Sequence, residues 1–147
     1  MIHVRVGETD FDPGAEMAAL GSAGAIATFI GQVRGDDGLV ALTLEHYPAM
    51  TQAALRALAE EAAARWPLSG VRIVHRVGRL VPGERIVFVG TAAEHRAAAL
   101  DACAFLIDAL KTRAPFWKVE ESAGGDRSWV EARDADDAAA ARWTNLS

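Results

Sequence analysis

Apolar positions recur along this chain with two different periods, and each change of period marks an element. Ile2–Val6 alternates and predicts a strand. Asp12-Pro13 supplies an N-cap followed by proline at the first helical position, so a short helix should run to about Leu20 and stop at Gly21. Gly24–Val33, GAIATFIGQV, is apolar, β-branched and punctuated by glycine, which predicts a buried strand with a bulge at Gly31. Arg34–Gly38 reads as a turn or a mobile loop. Val40–His46 returns as a strand with Leu42 and Leu44 on one face and Thr43 and Glu45 on the other. The two strands are expected to form a hairpin with Arg34 at its mouth.

The period then changes to that of a helix. From Pro48–Thr51 to Trp66, the residues Leu55, Leu58, Ala62 and Trp66 fall at spacings of 3, 4 and 4, and Pro67 ends the run. Val71–Val77 and Arg85–Gly90 are strands joined through Leu80-Val81 and a Pro82-Gly83 turn. Thr91 followed by Glu94 is a capping-box pattern, which predicts a helix from Ala92 to about Arg113. Leu100, Cys103, Ile107 and Leu110 form its stripe, widened by Ala99, Ala102, Leu106 and Ala109, so it should be covered on most sides by a sheet or a second subunit. Ala123-Gly124-Gly125 marks a turn, Ser128–Ala132 a short strand, and Asp134–Trp143 an alanine-rich closing helix with acids at its N-terminal end. No repeat, low-complexity tract or linker divides residues 1–147, so one domain is expected. Helices interrupt the strand pairs irregularly, which points to an α+β class.

Composition narrows the function. Apolar residues make up 51% and charged ones 24%, as in globular rather than disordered chains. The net charge of −5 argues against a general nucleic-acid binder, which needs a basic face. Cys103 is the only cysteine, so no internal disulfide can form, and no Cys/His spacing resembles a metal site. No apolar run is long enough for a membrane span, and the opening MIHVRV lacks the pattern of an export leader. The expected location is cytoplasmic.

Against the acidic background, Leu110–Glu120 (LKTRAPFWKVE) stands out. Three cations, Lys111, Arg113 and Lys118, and two aromatics, Phe116 and Trp117, surround Pro115. Proline disfavours helical geometry at Ala114, so Lys111 belongs to the last turn of a helix and Lys118 to the strand after it. A reversal there brings both ammonium groups to one pocket; equally, a cation in a last turn complements the helix dipole. Two ammonium groups held close depress each other's pKa, leaving one able to act while its neighbour holds an anion. His95-Arg96 near a helix start marks an anion site or a pair neutralised by Glu94. Arg34 is a phosphate fork or a solvated loop residue. His46 and His75 lie in strand patterns and read as structural, Cys103 as a buried inert thiol. Arg96 and Lys111 are about 22 Å apart along one helix, so one small ligand can meet both only across a symmetric dimer.

The stretches LTLEHYPAM (42–50), VHRVGRLVPGE (74–84), IVFVG with EHR (86–96), LKTRAPFWK (110–118) and GDRSWVEAR (125–133) resemble, in the same order, the large catalytic subunits of molybdopterin synthase. The resemblance implies an α/β hammerhead with an additional β-rich part. It implies conversion of cyclic pyranopterin monophosphate to molybdopterin, the sulfur arriving on the C-terminal Gly-Gly thiocarboxylate of a small ubiquitin-like partner. It also implies a heterotetramer with two large subunits at its centre, and no cofactor or metal in this chain. Lys111 and Lys118 match the family's active-site lysines. Gln32, Val33 and Arg34 match a substrate-contacting segment, His95 and Arg96 a pair from the neighbouring protomer, and Val119 and Glu120 the strand after Lys118. Some relatives carry lysine at position 32 and arginine at 119; Gln32 and Val119 lower the local positive charge here. A docking scaffold for a ubiquitin-like protein, needing no convergent cations, and a phosphate-ester enzyme using His95 as base are the competing readings.

Overall fold

The computed structural model describes residues 1–129, 134–141, 143 and 144. In chain order its elements are β1 (Ile2–Gly7), α1 (Pro13–Ala18), β2 (Ala25–Gln32), β3 (Leu39–Glu45), α2 (Pro48–Arg65), β4 (Leu68–Arg76), β5 (Gly78–Leu80), β6 (Arg85–Ala93), α3 (Arg96–Arg113), β7 (Trp117–Ser122), β8 (Arg127–Trp129) and α4 (Asp134–Ala141). They build two four-stranded sheets, ordered β1-β4-β6-β2 and β5-β3-β7-β8. In the first, β1 runs parallel to β4 and the other pairs are antiparallel; the second is antiparallel throughout. The class is mixed α+β, as the irregular order of elements predicts.

Local chemistry explains most boundaries. The Asp12 carboxylate accepts from the Gly14 amide at 3.0 Å and caps α1, with Pro13 at its first position. Pro48 opens α2, and the helix ends where Trp66 turns extended ahead of Pro67. Period-2 alternation splits β4 between two cores. Val71 and Ile73 face α2 and α3, joining Leu55, Leu58, Ala62, Val89, Phe105 and Leu106 in the main cluster. Val74 points the other way, to Phe11 and Phe88, which meet edge to face at 6.1 Å. A third cluster, Val33, Leu44 and Leu80, lies under the second sheet, and Ile86 packs against both it and the main core.

Three sequence expectations change. β2 and β3 do not pair: β2 lies beside β6, and β3 between β5 and β7. Beyond the bulge between Gly31 and Gln32, the Val33 amide donates to the Glu84 carbonyl and the Val33 carbonyl accepts from Gly83, both at 2.9 Å. The strand end is thus held by the β5–β6 turn, and residues 34–38 carry the chain to the other sheet. The long helix begins at Arg96, not Ala92, with His95 at its N-cap and no side-chain capping bond. Thr91 is fully buried in β6, and its hydroxyl donates to the Ala99 carbonyl at 2.6 Å instead of capping. On α3 itself Leu100 is exposed, while Phe105 joins Ala99, Ala102, Cys103, Leu106 and Ala109 in the core. The closing strand is seen as Arg127–Trp129; the remainder of the expected Ser128–Ala132 lies outside the described residues. No helix among the described residues is long and apolar enough to cross a membrane.

Gly24 sets where α3 can start, because a Cβ on it would overlap the backbone carbonyl of Glu94. Gly24→Ala should cost about 2–3 kcal/mol of stability, since backbone rather than a flexible side chain must move. Urea unfolding checks this; a midpoint unchanged from the parent chain would show that the β2 and α3 ends can separate freely.

Candidate active site

The end of α3 and the start of β7 meet over the edge of both sheets. Ala114 is extended and its carbonyl accepts from the Phe116 amide at 2.9 Å in a tight turn around Pro115, which breaks the helix, so Lys111 stays in its last turn while Phe116 and Lys118 pass to the next layer. Phe116 and Lys118 are two apart on extended chain and therefore share a face. Their ladder partner β3 contributes Leu44 opposite Lys118 and Leu42 opposite Glu120. A cavity of about 110 Å³ results, bounded by Lys111, Lys118, Gln32 and His75 as its polar members. Its apolar wall includes Phe29, Leu42, Leu44, Ile107, Leu110 and Phe116. Two cations thus border a space whose walls are otherwise mostly apolar.

His75 forms the inner wall. It continues the helix-facing register of Val71 and Ile73, one place beyond the last aliphatic residue. Its ring stacks on Phe116 with centroids 4.1 Å apart and planes at 22°, and Nδ1 lies 2.8 Å from the Arg76 carbonyl. A carbonyl only accepts, so Nδ1 carries the proton and Nε2 is the bare nitrogen. Burial pushes the imidazole down to about 4 from its usual 6.5; the bond to Arg76 opposes this, while Lys118, Lys111 and His46 add to it, in that order. His46 also approaches Phe116, its ring tilted at 40° with centroids 6.3 Å apart, and its Nδ1 is buried with no hydrogen-bond partner among the described residues.

The remaining residues singled out in the sequence are distributed unevenly. Gln32 lines the cavity beside the bulge. Val33 and Val119 are buried, Val33 in the cluster with Leu44 and Leu80 and Val119 opposite Thr43 and Trp129. Glu120 is exposed, on the same face of β7 as Lys118 by alternation. Arg34 is exposed on the loop, 3.7 Å from the Asp36 carboxylate, a pairing that solvent leaves weak. His95 and Arg96 are exposed at the far end of α3 and do not line the cavity within one chain. Cys103 is buried, and burial pushes its thiol up to about 11, well away from thiolate chemistry at neutral pH. Sequence reasoning passed over His75 as a strand residue; the available signal was a polar side chain closing an otherwise apolar Val71-Ile73-His75 face. Among the described residues no group of three His, Cys, Asp or Glu side chains could hold a metal.

The depressed His75 pKa has a consequence for stability. Between about pH 6.5 and 4 the unfolded chain binds a proton at this residue that the folded chain refuses, so stability present above 6.5 is lost as pH falls. At about 1.4 kcal/mol per unit the loss approaches about 3 kcal/mol. Chemical denaturation across this range should show it, and His75→Phe, which keeps an aromatic ring on Phe116 but cannot titrate, should flatten the slope. An identical slope in both proteins would assign the acid lability elsewhere.

Known proteins share about half of this sequence, and solved structures share its fold. The sequence profile of the MoaE protein family matches residues 6–113. A molybdopterin synthase catalytic subunit from Pseudomonas aeruginosa is 54% identical over 147 residues, covering 95% of this chain and 97% of its own. The solved structure of a molybdopterin biosynthesis MoaE protein from Burkholderia ambifaria superposes with a TM-score of 0.84 at 51% identity, covering 98% of this chain and 99% of the other. A solved protein–protein complex of subunits 1 and 2 of the molybdopterin-converting factor from Helicobacter pylori matches in fold, with a TM-score of 0.71 at 21% identity, covering 90% of this chain and 91% of that one. With the family profile spanning most of the chain and half the residues shared with these bacterial proteins, the chain belongs to the MoaE family of molybdopterin synthase catalytic subunits.

Proposed function

We propose that this catalytic subunit converts cyclic pyranopterin monophosphate to molybdopterin, taking two sulfur atoms from the thiocarboxylated C-terminus of a small ubiquitin-like partner. The observation that carries the reading is the convergence of Lys111 from α3 and Lys118 from β7 on one apolar-floored cavity. A Gly-Gly tail has no side chains to exclude it from a narrow cleft, and its thiocarboxylate is an anion that needs cations in an acidic protein. In this reading Lys111 acts on the acyl-sulfur centre, and Lys118 donates a proton or holds the second anion. Gln32 borders the cavity, while Val33 anchors the segment that presents Arg34 to the substrate phosphate. Val119 serves by seating β7, so that Lys118 and Glu120 face the ligand side.

The Helicobacter pylori complex of two subunits supports a small partner for this chain as well. The reading also includes a central dimer of the large subunit. His95 and Arg96 lie a helix-length from Lys111, so only a second copy can bring them to the cavity. Exposed Leu100 on α3 and exposed Ile26 and Ile30 on the edge strand β2 leave apolar surface suited to such a contact. The reaction belongs in the cytoplasm, and the chain brings neither metal nor cofactor to it.

Lys111→Ala should lower turnover by about a hundredfold or more while the small subunit still binds. Lys118→Ala should lower it severely but incompletely. Kinetics with thiocarboxylated partner, paired with titration calorimetry, separate the two effects. A docking scaffold would instead tolerate Lys111→Met, and near-normal turnover in that variant removes the lysine from the mechanism.

The shared site makes a second, independent prediction. Lys111→Ala and Arg96→Ala chains, each impaired alone, should regain turnover when unfolded together and refolded as mixed dimers. Absence of any recovery, with mixed dimers demonstrated by mass, would place both residues in the same protomer's site or remove Arg96 from it.

A further inference from the structure

Four strands end the two sheets among the described residues: β1 and β2 in the first, β5 and β8 in the second. An edge strand offers unpaired backbone to any other chain, and native proteins blunt it by shortness, charge or proline. β5 and β8 are three residues long and carry Arg79 and Arg127; β1 carries His3 and Arg5. β2 has none of these devices. Its Ala25–Gln32 stretch, AIATFIGQ, is eight residues long, uncharged and free of proline. Ile26, Thr28 and Ile30 are exposed on one face, while Ala27 and Phe29 turn to the main core.

We propose that β2 pairs antiparallel with β2 of a second copy about a two-fold axis at Thr28, joining the two first sheets into one. The pattern is self-complementary in this register. Ile26 of each chain faces Ile30 of its mate, and Ala27 faces Phe29, so apolar meets apolar on both faces of the sheet. A slip of one residue would set opposite faces against each other, and a slip of two in either direction would pair an isoleucine with Thr28. Such a contact is isologous and closes at two copies.

The pairing also completes the cavity, and in this respect it rests on the shared-site reading of His95 and Arg96. β2 begins beside the start of α3: Gly24 lies against the Glu94 backbone, and Ala25 pairs with Ala93. It ends at the cavity, which Gln32 lines together with Lys111. Strand and helix therefore run between the same two places, about 23 Å along Ala25–Gln32 and about 22 Å from Arg96 to Lys111. A two-fold at Thr28 exchanges those ends. The start of one β2 falls beside the end of the other, which carries His95 and Arg96 of each copy toward the cavity of its mate. α3 packs over β2 and β6, and its exposed Leu100 shares a helical face with Ile107 and Lys111, both at the cavity.

The first test needs no turnover. Sedimentation equilibrium of the full chain at micromolar concentration should give twice the chain mass. Ile26→Glu and Ile30→Lys should each weaken dimerisation tenfold or more, because each sets a charge against an isoleucine twice. The chain carrying both substitutions opposes unlike charges across the axis and should recover the parent's dimer. The two positions lie about 13 Å apart on one strand, so a pair formed within a single chain does not account for recovery. Thr28→Cys disturbs no apolar pair and should give a disulfide-linked dimer on mild oxidation, since facing residues lie about 4.5–5.5 Å apart at Cα. Val40→Cys, also exposed but on β3, should stay single, and Cys103 is buried. A monomeric wild type, single variants as dimeric as the parent, a double variant no tighter than the singles, or uncrosslinked Thr28→Cys each overturns the pairing. If a charged variant fails to fold, the cross-link decides.

In the kinetic arm, turnover with thiocarboxylated partner should fall with the dimer in the single variants and return in the double one. Full turnover in monomeric single variants overturns the placement of His95 and Arg96 by this contact. A wild type that is dimeric yet inactive with that partner would refute the sulfur-transfer reading, and mass and cross-link would then decide the pairing by themselves.

Discussion

The stack of Phe116 on His75 is the contact on which the site depends. His75 belongs to the first sheet and Phe116 to the joint between α3 and the second sheet. An offset pair of rings at 4.1 Å contributes about 1 kcal/mol beyond burial, but its position matters more than its energy. It fixes the short link through Pro115, and with it the angle at which Lys111 on a helix end and Lys118 on a strand look into one space. Ile86, which packs against both cores, supports the same junction from below.

The electrostatic design follows from that geometry. The chain is acidic overall, yet among the described residues its cavity is lined by two lysines and no carboxylate. A lysine at an apolar boundary lays its aliphatic stem over hydrophobic surface. Burying a neutral histidine in the same cavity wall avoids a third positive charge, at the cost of stability in acid.

Much of this was legible in the chain because it is local. Pro115 separates a helical period from an extended one, and that alone places Lys111 and Lys118 on different elements. The bulge at Gly31 and the limits of α1 and α2 follow equally from proline, glycine and capping residues. The misread features are the ones decided at a distance. Val33 is held by Gly83 and Glu84, about fifty residues away in sequence, so proximity to β3 suggested a hairpin that tertiary bonding replaces. Thr91 and Glu94 fit a capping box, but burial of Thr91 and the close approach of Gly24 to Glu94 extend the strand past it. His75 looked like any polar residue in a strand, because its meaning depends on Phe116, forty-one residues later. Within one chain His95 and Arg96 remain apart from the lysines, a separation that helix length alone made plain.

The central claim is that Lys111 and Lys118 form one anion-receptive site rather than two neighbouring surface cations. It is tested most directly by titrating a peptide ending in Gly-Gly carboxylate into protein carrying 13C at the lysine side-chain ε carbons. Both lysine resonances should shift along a single saturable curve with one Kd, and a peptide amidated at its C-terminus should leave them unmoved. Separate curves for the two lysines, or equal shifts with the amidated peptide, would contradict it.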